Sequence, residues 1–382
     1  MFDENHYVPL LKCKRGELNA VAGLSGTAKQ RLTPLFDLLY DDDFDPDPSG
    51  LDAAFNARAS QYVPQLVRSW GTSTPVFIDA GLIDPGARVG SATHIVTAVF
   101  ADARASGLLA VPVTSFDRDP AYQAAVRQAV SLDQRGACLR LDLADLDRSD
   151  LAADMARLMA AIGVGVAELD VIIDLGPVDS IANPGLLARL IVSGLRTLPH
   201  AVSLRTVTLA GGAFPQALGA YSVGIHTIAR TDWLVYNAVR AASVPRLPTY
   251  GDYATRHPVL GDIDPAVVNA SASVRYTREG YWLVLRGQGV KTRGGGGFSQ
   301  YLTHAINLKS HPDYCGPGFS AGDQEIYDIA TQATTPGSHE TWVRITVNHH
   351  LTFVTTQTGA TASGSSGTPG PGHGAVAAAS SP

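Results

Sequence analysis

Several of the signals that usually settle a function are missing from this 382-residue chain. It has three cysteines, Cys13, Cys138 and Cys315, which are widely separated, odd in number and without CxxC spacing. That speaks against a disulfide framework and a cysteine-based zinc site, and leaves buried free thiols as the better reading. Charged residues are only 17% of the chain and the net charge is −6, so no overall basic excess would coat a polyanion, although a local basic cleft stays open. No run of about 20 apolar residues occurs, and the opening MFDENHYVPLL has no long apolar stretch, so neither membrane insertion nor export is expected and the cytoplasm is the default. No GxGxxG follows a strand, which lowers a dinucleotide fold, and neither HExxH nor an HD doublet appears.

What is present is a repeated plan. Tyr7–Glu17 reads YVPLLKCKRGE, a short apolar run ending in Lys12 and Lys14 and meeting Gly16 before a helical stretch. Similar runs end on Asp37, on Asp79, on Thr114, on Arg140 and Asp142, on Asp174 and on Gly211–Gly212, and an eighth carries Tyr250, Asp252 and Tyr253. Near-continuous apolar strands with polar residues gathered at one end are the mark of a parallel barrel and its rim. Helical periodicity fills the intervals: 17–24, 51–70, 94–106, 120–131, 149–163, 184–198, and one or two helices within 214–242. Eight strand and helix units imply a TIM-like (β/α)8 barrel over residues 1–260, with an open doubly wound sheet as the alternative. The acidic stretch DDDFDPDP at 41–48 reads as a solvated loop, because a calcium loop needs a closing glutamate that is absent here.

Beyond residue 260 the rhythm changes. SASVRYTREGYWLVLRG is a hairpin signal, 298–309 and 321–334 read as helices, and KTRGGGGFSQ as a mobile loop. Residues 261–355 therefore form an α+β appendage packed on the barrel. The Gly, Ser, Ala and Pro composition from 356 to 382 predicts a disordered tail.

The Tyr7–Glu17 stretch, GDYATRHP at 251–258 and WVRITVNHHLTFV at 342–354 together resemble the family named for a phage "beta protein", found in bacteria and their phages. The likeness covers roughly 7–355. It implies a phage or defence setting and a phage or defence protein as partner, and it brings no reaction with it.

If the barrel closes, Lys12, Asp79, Arg140, Asp142 and Asp174 share its mouth, where close carboxylates and cations could supply a general acid and a general base. Lys14 and Asp37 stand on the same rim. Tyr250, Asp252, Tyr253, Arg286 and His349 are candidate substrate-binding residues. If 342–354 is a strand, the adjacent His349 and His350 point to opposite faces and at most one enters a given site. Three readings follow. In the first, Asp79, Asp142 and Asp174 hold Mg²⁺ or Mn²⁺, Lys12 and Arg140 neutralise a phosphate, and a phosphodiester in a nucleotide or nucleic acid is hydrolysed. In the second, the barrel is a non-catalytic binding or interaction protein, with the mouth charges paired as a plug. In the third, Lys12 forms a Schiff base with pyridoxal phosphate whose phosphate sits on Gly211–Gly212, although the CKRGE that follows departs from the barrel racemases.

Overall fold

The computed structural model describes residues 2–40, 52–90, 92–260 and 269–363. Eight parallel strands close into a barrel: β1 (Tyr7–Lys12), β2 (Leu35–Asp37), β3 (Val76–Asp79), β4 (Ala110–Thr114), β5 (Ala137–Leu141), β6 (Leu169–Pro177), β7 (Thr206–Gly212) and β8 (Thr249–Asp252). Their order around the barrel follows the chain, and β8 closes on β1 through Tyr7↔Tyr250 and Pro9↔Asp252. Helices between the strands start where the sequence offers a cap. Asp52 accepts from the Phe55 amide at the head of Ala53–Trp70, and Asp119 caps Pro120–Asp133, whose proline occupies the first turn. Gly163, with φ +79°, ends Leu151–Ile162 in the left-handed conformation that glycine adopts without a Cβ clash.

Side chains alternate along each strand, so one parity fills the barrel and the other meets the helices. Val8, Leu10, Leu35, Phe77, Val111, Val113, Cys138, Ile172 and Ala210 form the interior cluster. The opposite parity, including Tyr7, Leu11, Phe36, Ile78, Leu139, Val171 and Leu209, joins the larger core under the helices. The acidic stretch 41–48 lies outside the described residues.

The appendage is an antiparallel sheet of Gly224–Ala229, Tyr281–Gly289 and Ser271–Thr277, in that order, backed by helices Gln300–Lys309, Ala321–Ala330 and His339–Ser363. Two sequence expectations change here. GIHTIA, placed within a helical region, is a strand inserted between β7 and β8 that pairs with Tyr281–Gly289, so a division at residue 260 runs through the sheet. Residues 342–354, considered as a strand, belong to helix His339–Ser363, which continues through the first residues of the expected tail; 364–382 lie outside the described residues. The β-branched content suggested a strand, but tertiary packing decides: Val347, Leu351 and Val354 enter the barrel-side core, while Trp342 and Ile345 enter the sheet-side core. A helix wedged between two cores is apolar on two faces, which blurs the periodic stripe.

The two parts are joined by a buried polar seam on the outer face of β1 and β8. Tyr7 donates to Asp252 Oδ1, Tyr250 donates to Asp232 and approaches Asp252 Oδ2 at 3.0 Å, and His350 Nε2 meets Asp252 Oδ2 at 2.8 Å. Thr277 Oγ1 lies 2.8 Å from His350 Nδ1, so a ring protonated only at Nε2 satisfies both neighbours. Burial would raise the Asp252 carboxyl, but His350, Arg230 at 3.7 Å and the Tyr7 hydroxyl outweigh it and hold Asp252 below the usual carboxylate range. Asp232 goes the other way: burial dominates, Arg230 only partly offsets it, Asp252 repels it, and its pKa rises to about 6.

The folded state therefore binds a proton on Asp232 between the unfolded value near ~3.9 and about 6, and its contribution to stability falls as pH rises through that window. Asp232→Asn, which lacks this titration, should gain roughly 2–3 kcal/mol relative to the parent between pH 4 and pH 7 in urea unfolding. A pH-independent difference would contradict the assignment.

Candidate functional site

At the C-terminal ends of the strands the inward parity brings charged side chains to one level. Lys12 pairs with Asp37 and Asp37 with Asp79 in the strand register, and Arg140 and Asp174 continue the ring on β5 and β6. Arg140 stands at the centre. Its Nη1 donates to Asp37 Oδ1 at 2.7 Å and to Asp79 Oδ2 at 2.8 Å. Its Nε and Nη2 donate to Asp174 Oδ2 at 2.9 and 2.8 Å, and Nη2 also reaches the Tyr253 hydroxyl at 2.8 Å. A guanidinium has five N–H donors, and these contacts engage all of them. The Tyr253 hydroxyl in turn donates to Asp174 Oδ2 at 2.5 Å, and Arg118 closes the far side of Asp79 at 3.0 Å.

The electrostatics follow from this enclosure. Burial opposes the Arg140 charge, but Asp37, Tyr253, Asp174 and Asp79 outweigh it and push its pKa far above the usual value. Burial raises Asp37, with Arg140 pulling it back and Asp79 adding repulsion. Lys12 is lowered by burial, and its Nζ donates to the carbonyls of His257 at 2.9 Å and Pro258 at 2.8 Å. Below it, the fully enclosed Glu17 takes the Lys12 amide at 2.7 Å, and burial raises its carboxyl.

Of the residues expected at the mouth, the structure brings together Lys12, Asp37, Asp79, Arg140, Asp174 and Tyr253. Asp142 stands apart. The strand ends at Leu141, and Asp142 is an exposed loop residue whose Oδ1 accepts from the Asp145 amide while its own amide donates to Asp145 Oδ2. Lys14 occupies the residue before helix Arg15–Ala22 and makes no side-chain capping bond to it. Tyr250 and Asp252 have the outward parity and belong to the seam. His349 is buried in the appendage against Asp323 at 2.8 Å and the Thr277 carbonyl at 2.9 Å, stacked on Tyr276. Arg286 lies on the appendage sheet opposite Ser273, its Nε enclosed without a hydrogen-bond partner. Sequence reasoning missed Glu17, Arg118, Arg256 and Arg275. Glu17 and Arg256 lie in the quoted stretches Tyr7–Glu17 and GDYATRHP without a signal of their own, and Arg275 is one of the two polar members, with Ser273, of the alternation Ala272, Ser273, Val274, Arg275.

Neither cofactor considered from the sequence fits these residues. Asp79 and Asp174 are tied to guanidinium groups and Asp142 is elsewhere, and among the described residues no group of three or more His, Cys, Asp or Glu is arranged to hold a metal ion. Gly212 is closed over: a Cβ there would lie 2.4 Å from Pro258 Cγ and 3.2 Å from Tyr253 Cδ2, so β7 ends without an open cup for a pyridoxal phosphate group. A cavity of about 630 Å³ lies at the opposite end of the barrel, lined by His6, Lys29 and Arg246 among others. A second, of about 600 Å³, flanks the rim and is lined by Arg118, Arg127, Arg148 and Arg157.

The model of the Beta protein family matches residues 7–356. The chain belongs to the Beta protein family. No curated protein matches the chain. Among solved structures, it is similar to the YdjI aldolase from Escherichia coli K12 at 10% identity and a TM-score of 0.35, over 93% of this chain and 91% of that one. It is also similar to the C-terminal domain of Legionella pneumophila ChiA at 12% identity and a TM-score of 0.34, over 65% and 92% respectively. In this Beta protein the described residues include no helix long and apolar enough to cross a membrane.

Removing the central guanidinium would strand three enclosed carboxylates. Arg140→Met should cost about 3–5 kcal/mol in chemical denaturation, and Arg140→Lys more than half of that, because an ammonium has three donors in place of five. Asp142→Ala should cost only about 1 kcal/mol, the usual loss of a cap. Similar losses at both positions would mean that Arg140 does not hold the mouth together.

Proposed function

We propose that this Beta protein binds a phosphate-bearing ligand at the rim of its barrel and does not hydrolyse it. The observation that carries the reading is the saturation of Arg140. With five donors engaged by Asp37, Asp79, Asp174 and Tyr253, the guanidinium has none left for a phosphate, and the carboxylates that would activate water are its partners. A general base must reach a proton on the substrate or on water, and these groups reach each other. Positive charge remains available beside the lattice, because the hydrogen-bond partners of the Lys12 ammonium are main-chain carbonyls. The closed lattice favours binding over the metal-dependent phosphodiester hydrolysis that the rim suggests in sequence. The phage or defence setting belongs to this proposal through the family alone.

The test pairs turnover with binding. Bis(p-nitrophenyl) phosphate and a nucleotide cyclic phosphodiester, each with Mg²⁺ or Mn²⁺, should give no release above buffer, while calorimetry with nucleotide monophosphates and diphosphates should show saturable binding. Metal-dependent turnover that disappears in Asp174→Asn would overturn the reading.

A further inference from the structure

The loop that follows β8 is pinned by cations from both sides. Arg275, on the appendage strand Ser271–Thr277, donates from Nη1 to the Thr255 carbonyl at 2.6 Å, and Lys12, from inside the barrel, holds the carbonyls of His257 and Pro258. Arg256 sits between these anchor points. It acts electrostatically on Arg275, Lys12 and Glu17, and its guanidinium makes no hydrogen bond among the described residues. Among the described residues no carboxylate is hydrogen-bonded to any of the three cations. Main-chain carbonyls satisfy donors without neutralising charge, and an enclosed cation without a counter-ion is costly. Burial and then the neighbouring Arg256 pull the basicity of Arg275 down, while its guanidinium lies 4.1 Å from the Phe214 ring centroid. A fourth guanidinium, Arg286, shares that sheet face by strand register, and its buried Nε has no partner.

We propose that Lys12, Arg256 and Arg275 form a binding site for a doubly charged oxyanion, the terminal phosphate of a small ligand, where the loop 255–258 meets the appendage sheet. This rests on the phosphate-directed binding reading and gives it an address outside the Arg140 lattice. The fork of Arg256 supplies two parallel donors to such a group, and Lys12 and Arg275 are already oriented by the loop they hold. Of the carboxylates that act on this cluster, Glu17 is itself enclosed and Asp37 is held by Arg140, which leaves three cations for an incoming anion.

The experiment uses the full chain, with inorganic phosphate, pyrophosphate and succinate as probes in calorimetry and thermal shift. Pyrophosphate should bind and raise the melting temperature. Arg256→Gln, in a partly exposed loop, should weaken it by about tenfold or more, the loss of one or two charge-assisted hydrogen bonds. Arg275→Lys should weaken it less, and Arg127→Gln, in the separate cleft that flanks the rim, should leave it unchanged. The melting temperature of Arg256→Gln without ligand should equal or exceed that of the parent, which separates a ligand-binding arginine from a structural one. Phosphate binding that survives in Arg256→Gln and Arg275→Lys would overturn this address and leave the binding reading standing. No binding of phosphate or pyrophosphate by the parent would overturn both. Equal binding of succinate would overturn the choice of a phosphate over a dicarboxylate.

Discussion

The mouth of this barrel depends on one planar cation. β1, β2, β3, β5 and β6 each deliver an inward charged side chain to the rim level, and without Arg140 three of those would be enclosed aspartates within reach of one another. The guanidinium resolves this because its five donors lie in one plane and can serve separate carboxylates from separate strands. An ammonium could neutralise charge but could not hold three strands in register. The lattice thus acts as a keystone for β2, β3, β5 and β6.

Much of the barrel was readable in the chain because strands buried on both faces must be apolar and must end on polar residues. The same logic placed Asp37, Asp79, Arg140 and Asp174 correctly at one rim. It failed where strand geometry stops. Asp142 continues the parity of Cys138 and Arg140, yet β5 ends at Leu141 and the residue turns into a loop cap, which favours a short acidic side chain. Tyr250 and Asp252 flank Gly251, whose absent Cβ would lie 2.8 Å from the Val8 carbonyl, so parity alone assigns them outward. Tyr253 is the member of that group that faces in.

The appendage was harder to read for a different reason. Its long helix is packed on both sides, so the periodic contrast that identifies a surface helix is absent, and its threonines and valines look like a strand. Gly224–Ala229 was hidden because its partner comes about fifty to sixty residues later in the sequence, and pairing at such separation leaves no local mark. His349 and His350 are not alternatives for one site. Successive residues on a helix point about 100° apart, which sends one to Asp323 and the other to Asp252.

The seam at Asp252 has a consequence for how the molecule is made. All eight barrel strands are present in the chain by the end of β8, but the histidine that covers the Asp252 carboxylate lies 98 residues later. Before that residue is added, Asp252 has Tyr7, Tyr250 and Arg230 beside it but not its histidine. Helix His339–Ser363 therefore acts as a latch, sealing the barrel wall only after all eight strands are in place.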